Sequence, residues 1–246
     1  PPTNPTITQL REQIFPLLKK SVKKLLLAGG EPILDRKNKL LLRFLIDSGR
    51  TDMTLEYNTN GTILDAETLA LWKSFPNLRL AISVDSSGKR FEYLRKGARW
   101  SRIIENVAKL RDEAPHATLA CYSTISIFNV LTHPDFVTEL LESKLFSLGE
   151  LNLHYLVHPS YFSIQALPLS AKAKIEEKYY AFMRGHLLMN YDFEESKKMM
   201  LQLKMLLNYM KAAETPLLPE FYSTVERVDT LRGESFRQTF PELASL

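Results

Sequence analysis

The sequence contains very little cysteine and no long apolar run. Its single cysteine, Cys121, excludes an internal disulfide and fits a reducing compartment, so we expect a cytoplasmic protein. No apolar stretch reaches the roughly 18 residues that a membrane-spanning helix needs. The first residues, PPTNP, have neither the basic region nor the apolar core of a signal peptide. We therefore expect neither a disulfide scaffold nor a membrane partner.

The sequence also lacks a strong excess of either charge and the common catalytic motifs. The 32 lysines and arginines are spread among 28 acidic residues without a long basic run, which favours a solvated surface over a nucleic-acid interface. The sequence has no P-loop, no GxSxG and no HExxH. Its five histidines have no paired metal spacing, although His158 follows a predicted strand. No metal site made from the histidines and no serine-hydrolase site is therefore predicted.

What the sequence does contain is an alternation of short apolar runs with stretches of helical period. Its 246 residues are enough for one large domain or two small ones. The predicted strands are residues 22–28, 52–57, 78–84, 117–127 and 151–157. Strands that alternate with helices of about 10–15 residues indicate βαβ units and a parallel sheet. The fold class is therefore α/β, either an open doubly wound sheet or most of a barrel.

Helix signals separate these strands. Asp35 and Asp65 are predicted to cap helices that end near Gly49 and Trp72. Further helices are predicted over residues 8–20, 101–111 and 134–145, and residues 91–97 are predicted to form a long connection. The core therefore spans about residues 1–160.

The pattern changes to helices alone after Pro168. The predicted helices are 170–186, 192–213 and 220–238, separated by Gly185, Pro216 and Pro219. Three acids are predicted to form the solvated start of the second helix: Asp192, Glu194 and Glu195. Methionines at helical spacing are predicted to fill the core: Met199, Met200, Met205 and Met210. Residues 161–246 are thus interpreted as a helical C-terminal extension that packs on the core.

Ligands of parallel α/β folds bind beyond the carboxyl ends of the strands, so the residues there are candidate site residues. The first strand ends in Gly29-Gly30-Glu31-Pro32. Two glycines let a ligand approach the backbone, Glu31 adds a carboxylate, and Pro32 fixes the turn that follows. Such a tip can hold a cationic amino group. The alternative is a tight strand-to-helix turn that binds nothing, since strand ends are polar in any α/β protein.

Several segments together carry a family resemblance. The order GGEP, NTNG, ISVD and FEYLRKGARW-x3-IEN resembles that of radical S-adenosylmethionine (radical SAM) enzymes. The segments TISIFNVLTHPDF and IQALPLSAKAKI and the ending over residues 228–243 resemble members that carry a small accessory twitch domain. The similarity covers residues 22–243. It implies that the core is a partial parallel (β/α) barrel, related to the TIM barrel, that binds S-adenosylmethionine at its strand tips.

The resemblance also implies a role for each candidate site residue. Gly29, Gly30 and Glu31, with Pro32 behind them, would hold the methionyl ammonium group. The residues that would face the ribose and carboxylate are Asn58, Asn60, Ser83 and Asp85. Arg95 would pair with the methionyl carboxylate. The residues that would lie near the adenine are Thr124, Ser126, Leu156 and Val157. A plain surface charge is the alternative for Arg95, and a helix cap is the alternative for Asp85.

One departure from the family concerns the cluster. Radical SAM enzymes bind a [4Fe–4S] cluster through a CxxxCxxC loop upstream of the GGEP strand, but here only 21 residues precede that strand, and they are predicted to form a helix. Cys121, in mid-strand, is predicted to be a small buried apolar residue. We therefore expect the first strand and the cysteine loop to be missing. The chain would be a remainder of a longer protein (it does not start with Met), a half-barrel completed by a partner, or a cluster-free descendant.

The functional expectation is a radical SAM enzyme whose full-length form binds S-adenosylmethionine and a [4Fe–4S] cluster and generates a 5′-deoxyadenosyl radical. This chain is expected to have no cluster ligands of its own and to be inactive alone. The substrate would be a peptide, a sugar or a small metabolite, and the electron donor a flavodoxin or ferredoxin. One alternative is a non-catalytic α/β binding or scaffold module. Another is an α/β enzyme that binds a phosphorylated metabolite at its glycine tip.

Overall fold

The computed structural model of the chain describes residues 6–18, 22–213 and 217–243. The strands in these ranges are β1 (Lys24–Leu27), β2 (Thr54–Thr59), β3 (Leu78–Ser83), β4 (Thr118–Ile125) and β5 (Leu151–Tyr155). They belong to one sheet in chain order, and the pairs β1–β2, β2–β3 and β4–β5 run parallel. The predicted α/β class and all five predicted strands are confirmed.

Helices connect the strands and form the C-terminal part. They are α1 (Ile7–Gln9), α2 (Phe15–Leu18), α3 (Arg36–Asp47), α4 (Ala66–Trp72), α5 (Gly88–Leu94), α6 (Trp100–Glu113), α7 (His133–Glu142), α8 (Leu169–Phe182), α9 (Leu188–Asn190), α10 (Phe193–Lys211), α11 (Leu218–Arg232) and α12 (Phe236–Thr239). A π-helical turn joins α1 to α2, and another joins α8 to α9. None of the helices in the described ranges is long and apolar enough to cross a membrane.

Two predictions fall partly on residues outside the described ranges. The first predicted helix is seen from Ile7 to Leu18, and its last two positions, 19 and 20, are outside. Pro216, predicted to separate two helices, is also outside. The helical C-terminal extension itself is confirmed by α8 to α12.

The chain forms two compact units that alternate along the sequence. The first comprises residues 1–83 and 102–120, and the second comprises 84–101 and 121–246. The predicted division at residue 160 concerns a barrel core and its extension, and it stays a prediction.

In the first unit, side chains alternate between the two faces of β2 and β3. Leu55, Tyr57 and Ile82 are almost fully buried, and the indole of Trp72 on α4 contacts Tyr57 edge-on at a ring distance of 5.0 Å. The opposite face of the same strands carries polar side chains, because successive residues of a strand point to opposite sides. Glu56 on that face forms ion pairs with cations of both neighbouring strands, Lys24 at 2.7 Å and Arg79 at 3.4 Å. One face is therefore the core and the other is open and charged.

The two predicted helix caps of this unit are confirmed. The Asp35 carboxylate accepts a hydrogen bond from the Lys37 amide at 2.9 Å, and Asp65 accepts one from the Thr68 amide at 2.8 Å. The Lys39 ammonium on α3 also contacts Asp65 at 2.9 Å, which links α3 to the start of α4. Burial alone would raise the pKa of Asp65, but the hydrogen bonds from Thr68 and Lys39 outweigh it and hold the pKa below its usual value.

In the second unit, α10 lies along the outer edge of β5. The Gln202 side chain accepts a hydrogen bond from the Leu153 amide at 2.8 Å, and the Lys198 ammonium donates to the carbonyl of Gly149 at 3.0 Å. The ring of Tyr209 stacks on Tyr155 with 4.0 Å between centroids. An uncovered edge strand exposes unpaired backbone groups, so α10 provides partners for this edge of the sheet.

The methionine prediction for α10 is only partly correct. Met199 and Met210 are almost fully buried, but the Met205 side chain is 52% exposed. A helix that covers a sheet edge has one buried and one solvent-facing side, and Met205 is on the latter. The acidic start is as predicted, since the Asp192 carboxylate accepts a hydrogen bond from the Glu195 amide at 2.8 Å.

Three predicted element boundaries are wrong. The predicted connection over 91–97 contains most of helix α5, whose seven residues are too few to show a helical period. The predicted helix 134–145 ends at Glu142, shortly before Lys144 adopts a left-handed conformation (φ +56°). The predicted helix 220–238 is divided into α11 and α12 at Gly233, the C-cap of α11.

Candidate functional site

The tip of β1 in the first unit has an accessible backbone. Gly29 and Gly30 have φ angles of +93° and +54°, values that residues with a Cβ rarely adopt. A Cβ built on either glycine would meet no described atom within 4 Å. The two glycines are therefore required for the shape of the turn, and the space above them is open to a ligand.

Glu31 connects this tip to the tip of β2. Its Oε1 accepts hydrogen bonds from the Thr59 hydroxyl at 2.7 Å and the Ile33 amide at 3.3 Å, and its Oε2 accepts one from the Asn60 amide at 2.8 Å. An ionised carboxylate offers about four acceptor positions, so these three bonds leave room for one more donor. Pro32 is buried and its carbonyl accepts a hydrogen bond from the Asn38 side chain at 2.9 Å. The sequence did not single out Thr59, although it lies within the NTNG motif.

The rest of the β2 tip is a braced turn. The Asn60 side-chain oxygen accepts hydrogen bonds from the Thr62 amide at 2.9 Å and the Thr62 hydroxyl at 2.6 Å. Gly61 has φ +71°, and a Cβ added to it would lie 2.7 Å from Cγ2 of Ile82. Its carbonyl accepts a hydrogen bond from the buried Asn106 side chain at 2.8 Å. The side chain of Asn60 thus stabilises the turn.

Two predicted site residues of the first unit, Asn58 and Ser83, have no side-chain hydrogen bond to another described residue. Asn58 is exposed on the charged face of β2, opposite Ala81 in the register. Ser83 is the half-buried last residue of β3 and lies on the same face as Ala81 by strand alternation. Both are on the open face of the sheet.

In the second unit, Asp85 is the centre of a hydrogen-bonded group. Its Oδ2 accepts a hydrogen bond from Nη2 of Arg95 at 2.7 Å, and its Oδ1 accepts one from the Thr124 amide at 2.8 Å. The helix-cap alternative for Asp85 is wrong, because the N-cap position of α5 belongs to Ser87. The side chain of Asp85 instead joins the segment that follows β3 to Thr124 of β4.

Arg95 is not a free surface charge. Its side chain is 27% exposed and is paired with Asp85, whereas the resemblance had given it a ligand carboxylate as its partner. Its Nε is buried and has no hydrogen-bond partner in the described residues. A guanidinium has five N–H donors, so the ion pair with Asp85 leaves a donor for an acidic ligand group.

Asn129 holds this group together and was missed by the sequence reasoning. Its side-chain nitrogen donates to the carbonyls of Asp85 at 2.8 Å and Thr124 at 3.0 Å, and its side-chain oxygen accepts a hydrogen bond from the Ser126 amide at 2.8 Å. It is 1% exposed. A single amide inside the apolar run IFNVL was the available signal, since buried polar side chains are hydrogen-bonded.

The predicted adenine residues lie at the ends of β4 and β5. The Leu156 amide donates to the carbonyl of Ile125 at 2.8 Å, so the two strand ends remain adjacent. Leu156 is half-buried, and the side chain of Val157 is 47% exposed. The structure therefore brings the β4 and β5 tips together and leaves apolar surface at Val157. His158 is exposed.

The residues present do not fit an iron–sulfur cluster. Cluster ligands are thiolates, and the only thiol is that of Cys121, which is 1% exposed. Burial raises the pKa of that thiol to about 12, so it stays protonated. The prediction that Cys121 is a small buried residue is confirmed. Across the described ranges, no three His, Cys, Asp or Glu side chains are grouped so that they could hold a metal ion.

Solved structures with a similar fold bind S-adenosylmethionine. The structure of anSMEcpe with bound AdoMet is 16% identical, with a TM-score of 0.51 over 72% of this chain and 52% of that one. Its complex with AdoMet and the Cp18Cys peptide has a TM-score of 0.50 at 16% identity, over 72% and 53%. Streptococcus suis SuiB bound to S-adenosylmethionine has a TM-score of 0.52 at 13% identity, over 75% and 42%. The chain thus spans about half the length of these proteins or less.

The family is indicated by the sequence match. No curated protein sequence matches the chain. The sequence pattern of the radical SAM superfamily matches residues 1–140, which is more than half of this chain. The similarity in fold agrees with that match. The chain therefore belongs to the radical SAM superfamily.

Proposed function

We propose that this chain is the S-adenosylmethionine-binding part of a radical SAM enzyme. The observation that carries the proposal is the β1 tip, where an open glycine backbone lies beside the Glu31 carboxylate. Backbone carbonyls and a carboxylate with one remaining acceptor position suit a cationic ammonium group. In this family, bound S-adenosylmethionine supplies a 5′-deoxyadenosyl radical that abstracts hydrogen from a substrate.

Each remaining site residue has a proposed role that the family resemblance implies. Arg95 has a buried Nε without an acceptor among the described residues, and it is proposed to bind the methionyl carboxylate. Asn58, Ser83 and Asp85 are proposed to lie near the ribose and carboxylate, with Asn60 fixing the turn beside them. The proposed surroundings of the adenine are Thr124, Ser126, Leu156 and Val157. These roles are supported by strand-tip position and by the family.

We propose that the cluster ligands are cysteines outside this sequence. The chain has a single, buried, protonated thiol, so its own residues cannot take that role. Iron and sulfide analysis of the native protein, together with its intact mass, tests this. A mass well above 28.3 kDa with about four irons per chain is expected. A mass of 28.3 kDa without iron would favour a non-catalytic binding module.

The substrate class that we propose is a peptide. Two structures of similar fold contain peptides: SuiB is bound to the precursor peptide SuiA, with a TM-score of 0.51, and anSMEcpe is bound to the Cp18Cys peptide. We also propose that the protein is a cytoplasmic oxidoreductase or maturase of the twitch-domain group and receives electrons from a flavodoxin or ferredoxin. These finer assignments rest on the family resemblance.

Calorimetric titration distinguishes this function from a phosphate-binding enzyme. We expect saturable heat with S-adenosylmethionine and none with glucose 6-phosphate. Saturable binding of the sugar phosphate alone would favour the phosphorylated-metabolite alternative. Binding of neither compound would favour a scaffold module.

A further inference from the structure

The second unit contains a small apolar cavity that the proposed site residues do not line. Its volume is about 150 Å³. Its walls come from α5, from the segments that follow β4 and β5, and from α11. The main lining residues are Tyr93, Phe128, Phe162, Val225, Val228 and Arg232. A cavity of about this volume has room for a molecule of the size of benzene.

Three aromatic rings, those of Tyr93, Phe128 and Phe162, form part of the wall. The ring of Phe128 is 5.1 Å from that of Phe162 and 6.3 Å from that of Tyr93, and both pairs are tilted. Phe221 supports Phe128 from a ring distance of 5.2 Å, and Phe240 meets Tyr93 edge-on at 5.3 Å. Aromatic rings at these distances favour edge-to-face contacts, so the wall suits one more ring.

Polar bonds between α5 and α11 hold the cavity open. The Tyr93 hydroxyl donates to Oδ1 of Asp229 at 2.9 Å, and Nη1 of Arg232 donates to the Tyr93 carbonyl at 3.1 Å. The Lys96 ammonium binds Glu234 at 2.6 Å just beyond both helices. Burial and the neighbouring Asp229 raise the pKa of Tyr93, so its hydroxyl keeps the proton that it donates. The two walls are therefore fixed without an occupant, as in a preformed ligand site.

The cavity is accessible, and two of its lining residues are close in sequence to residues of the Asp85–Arg95 group. Val228 is half-buried and the Arg232 side chain is 34% exposed, which gives the cavity a mouth. Tyr93, in its wall, is two residues from Arg95. Phe128, also in the wall, precedes Asn129, whose side chain donates to the Asp85 carbonyl. The same two segments thus carry the cavity and the proposed carboxylate-binding group.

We infer that this cavity binds a benzene-sized aromatic side chain of the substrate, of the phenylalanine or tyrosine type. That the ring belongs to a substrate rests on the proposed function. That the cavity binds an aromatic ring does not. The Arg232 guanidinium at the mouth disfavours a second cation and favours a neutral ring or one that carries a phenolic hydroxyl.

The test is a titration of the whole chain with p-cresol, followed by NMR of the valine methyl groups. We expect saturable shifts at Val225 and Val228. Val228→Phe fills the cavity and should weaken p-cresol binding at least tenfold. Arg227→Phe adds the same ring at an exposed position of α11 and should leave binding unchanged. Val228→Ala enlarges the cavity, so it should retain p-cresol and gain affinity for the larger ring of indole.

Two results would overturn the inference. One is the absence of saturable shifts in the wild type, and the other is equal p-cresol affinity in the Val228→Phe and Arg227→Phe variants. If Val228→Phe does not fold, a Val228→Ala variant that shows no gain for indole contradicts the inference as well. Titration of S-adenosylmethionine into the same samples separates the two proposals. If S-adenosylmethionine binds and p-cresol does not, only the inference about the cavity is contradicted. If p-cresol binds and S-adenosylmethionine does not, only the proposed function is contradicted.

Discussion

The guanidinium of Arg95 donates a hydrogen bond from Nη2 to Oδ2 of Asp85 at 2.7 Å, within a group that also fixes the Thr124 amide. Asp85 and Arg95, which have separate predicted ligand roles, therefore form one ion pair. The pair positions Arg95 before any ligand arrives, because a partly buried guanidinium without a carboxylate would be costly.

Replacing Arg95 should reduce both stability and ligand affinity. We expect Arg95→Gln to lower the free energy of unfolding by about 1 kcal/mol, since the ion pair is partly screened by solvent. Loss of its remaining donors should weaken S-adenosylmethionine binding at least tenfold, as measured by calorimetry. Arg90→Gln is the matched control, because Arg90 on α5, the helix that ends just before Arg95, pairs with Glu242 at 2.9 Å and has a side chain that is 29% exposed. Equal loss of affinity in both variants would contradict the role of Arg95.

Removing the charge of Glu31 should affect binding more than folding. Glu31→Gln keeps an oxygen for one of the Thr59 and Asn60 donors, so we expect a loss of about 1 kcal/mol in unfolding free energy. A charge-assisted hydrogen bond contributes about 1.5–3 kcal/mol, so ligand affinity should fall at least tenfold. Asp35→Asn removes a nearby charge and keeps a good N-cap, and it should leave affinity unchanged. Unchanged affinity in Glu31→Gln would exclude Glu31 from the site.

A methyl group at Gly61 should destabilise the first unit. The added Cβ would lie 2.7 Å from Ile82 and the residue would need φ +71°. We expect Gly61→Ala to lower the free energy of unfolding by about 1–3 kcal/mol, as measured in urea. Gly149→Ala, which has open space and no positive φ, should change it by less than about 0.5 kcal/mol. Similar losses in the two variants would contradict the close contact.

His133 should make stability fall in mild acid. It is 1% exposed, both ring nitrogens lack partners in the described residues, and burial lowers its pKa from 6.5 to about 3. Between these values the unfolded chain binds a proton that the folded chain does not. The stability that neutral His133 contributes is therefore present well above pH 6.5 and is lost as the pH falls towards 3. The free energy of unfolding should fall by about 2 kcal/mol at pH 5.

The His133 effect is isolated by comparison with His133→Phe. Urea unfolding at several pH values between 7.5 and 5 should show a smaller loss for the variant, by about 2 kcal/mol at pH 5. Parallel pH profiles for the two proteins would contradict the account of His133.

The sequence was sufficient for features that depend on local pattern. Asp35 and Asp65 cap helices by contacts within three residues, and the apolar period of each strand is visible in a short window. Cys121 could be predicted as buried because it lies within such a run.

The site depends on pairings that no short window contains. Glu31 meets Thr59 and Asn60 across 28 and 29 residues, and Asn129 meets Asp85 across 44. Strand-tip position indicated that Glu31 and Asp85 matter, but not which protein donors would satisfy them. The α5 helix was missed for a different reason: with seven residues, it is too short for a helical period to be recognised.

A crystal structure of the chain with S-adenosylmethionine tests the central claim most directly. The account predicts that the ligand ammonium group lies within about 3 Å of the Glu31 carboxylate and against the Gly29–Gly30 backbone. A ligand bound elsewhere, or a saturated crystal with Glu31 contacting only Thr59, Ile33 and Asn60, would contradict it.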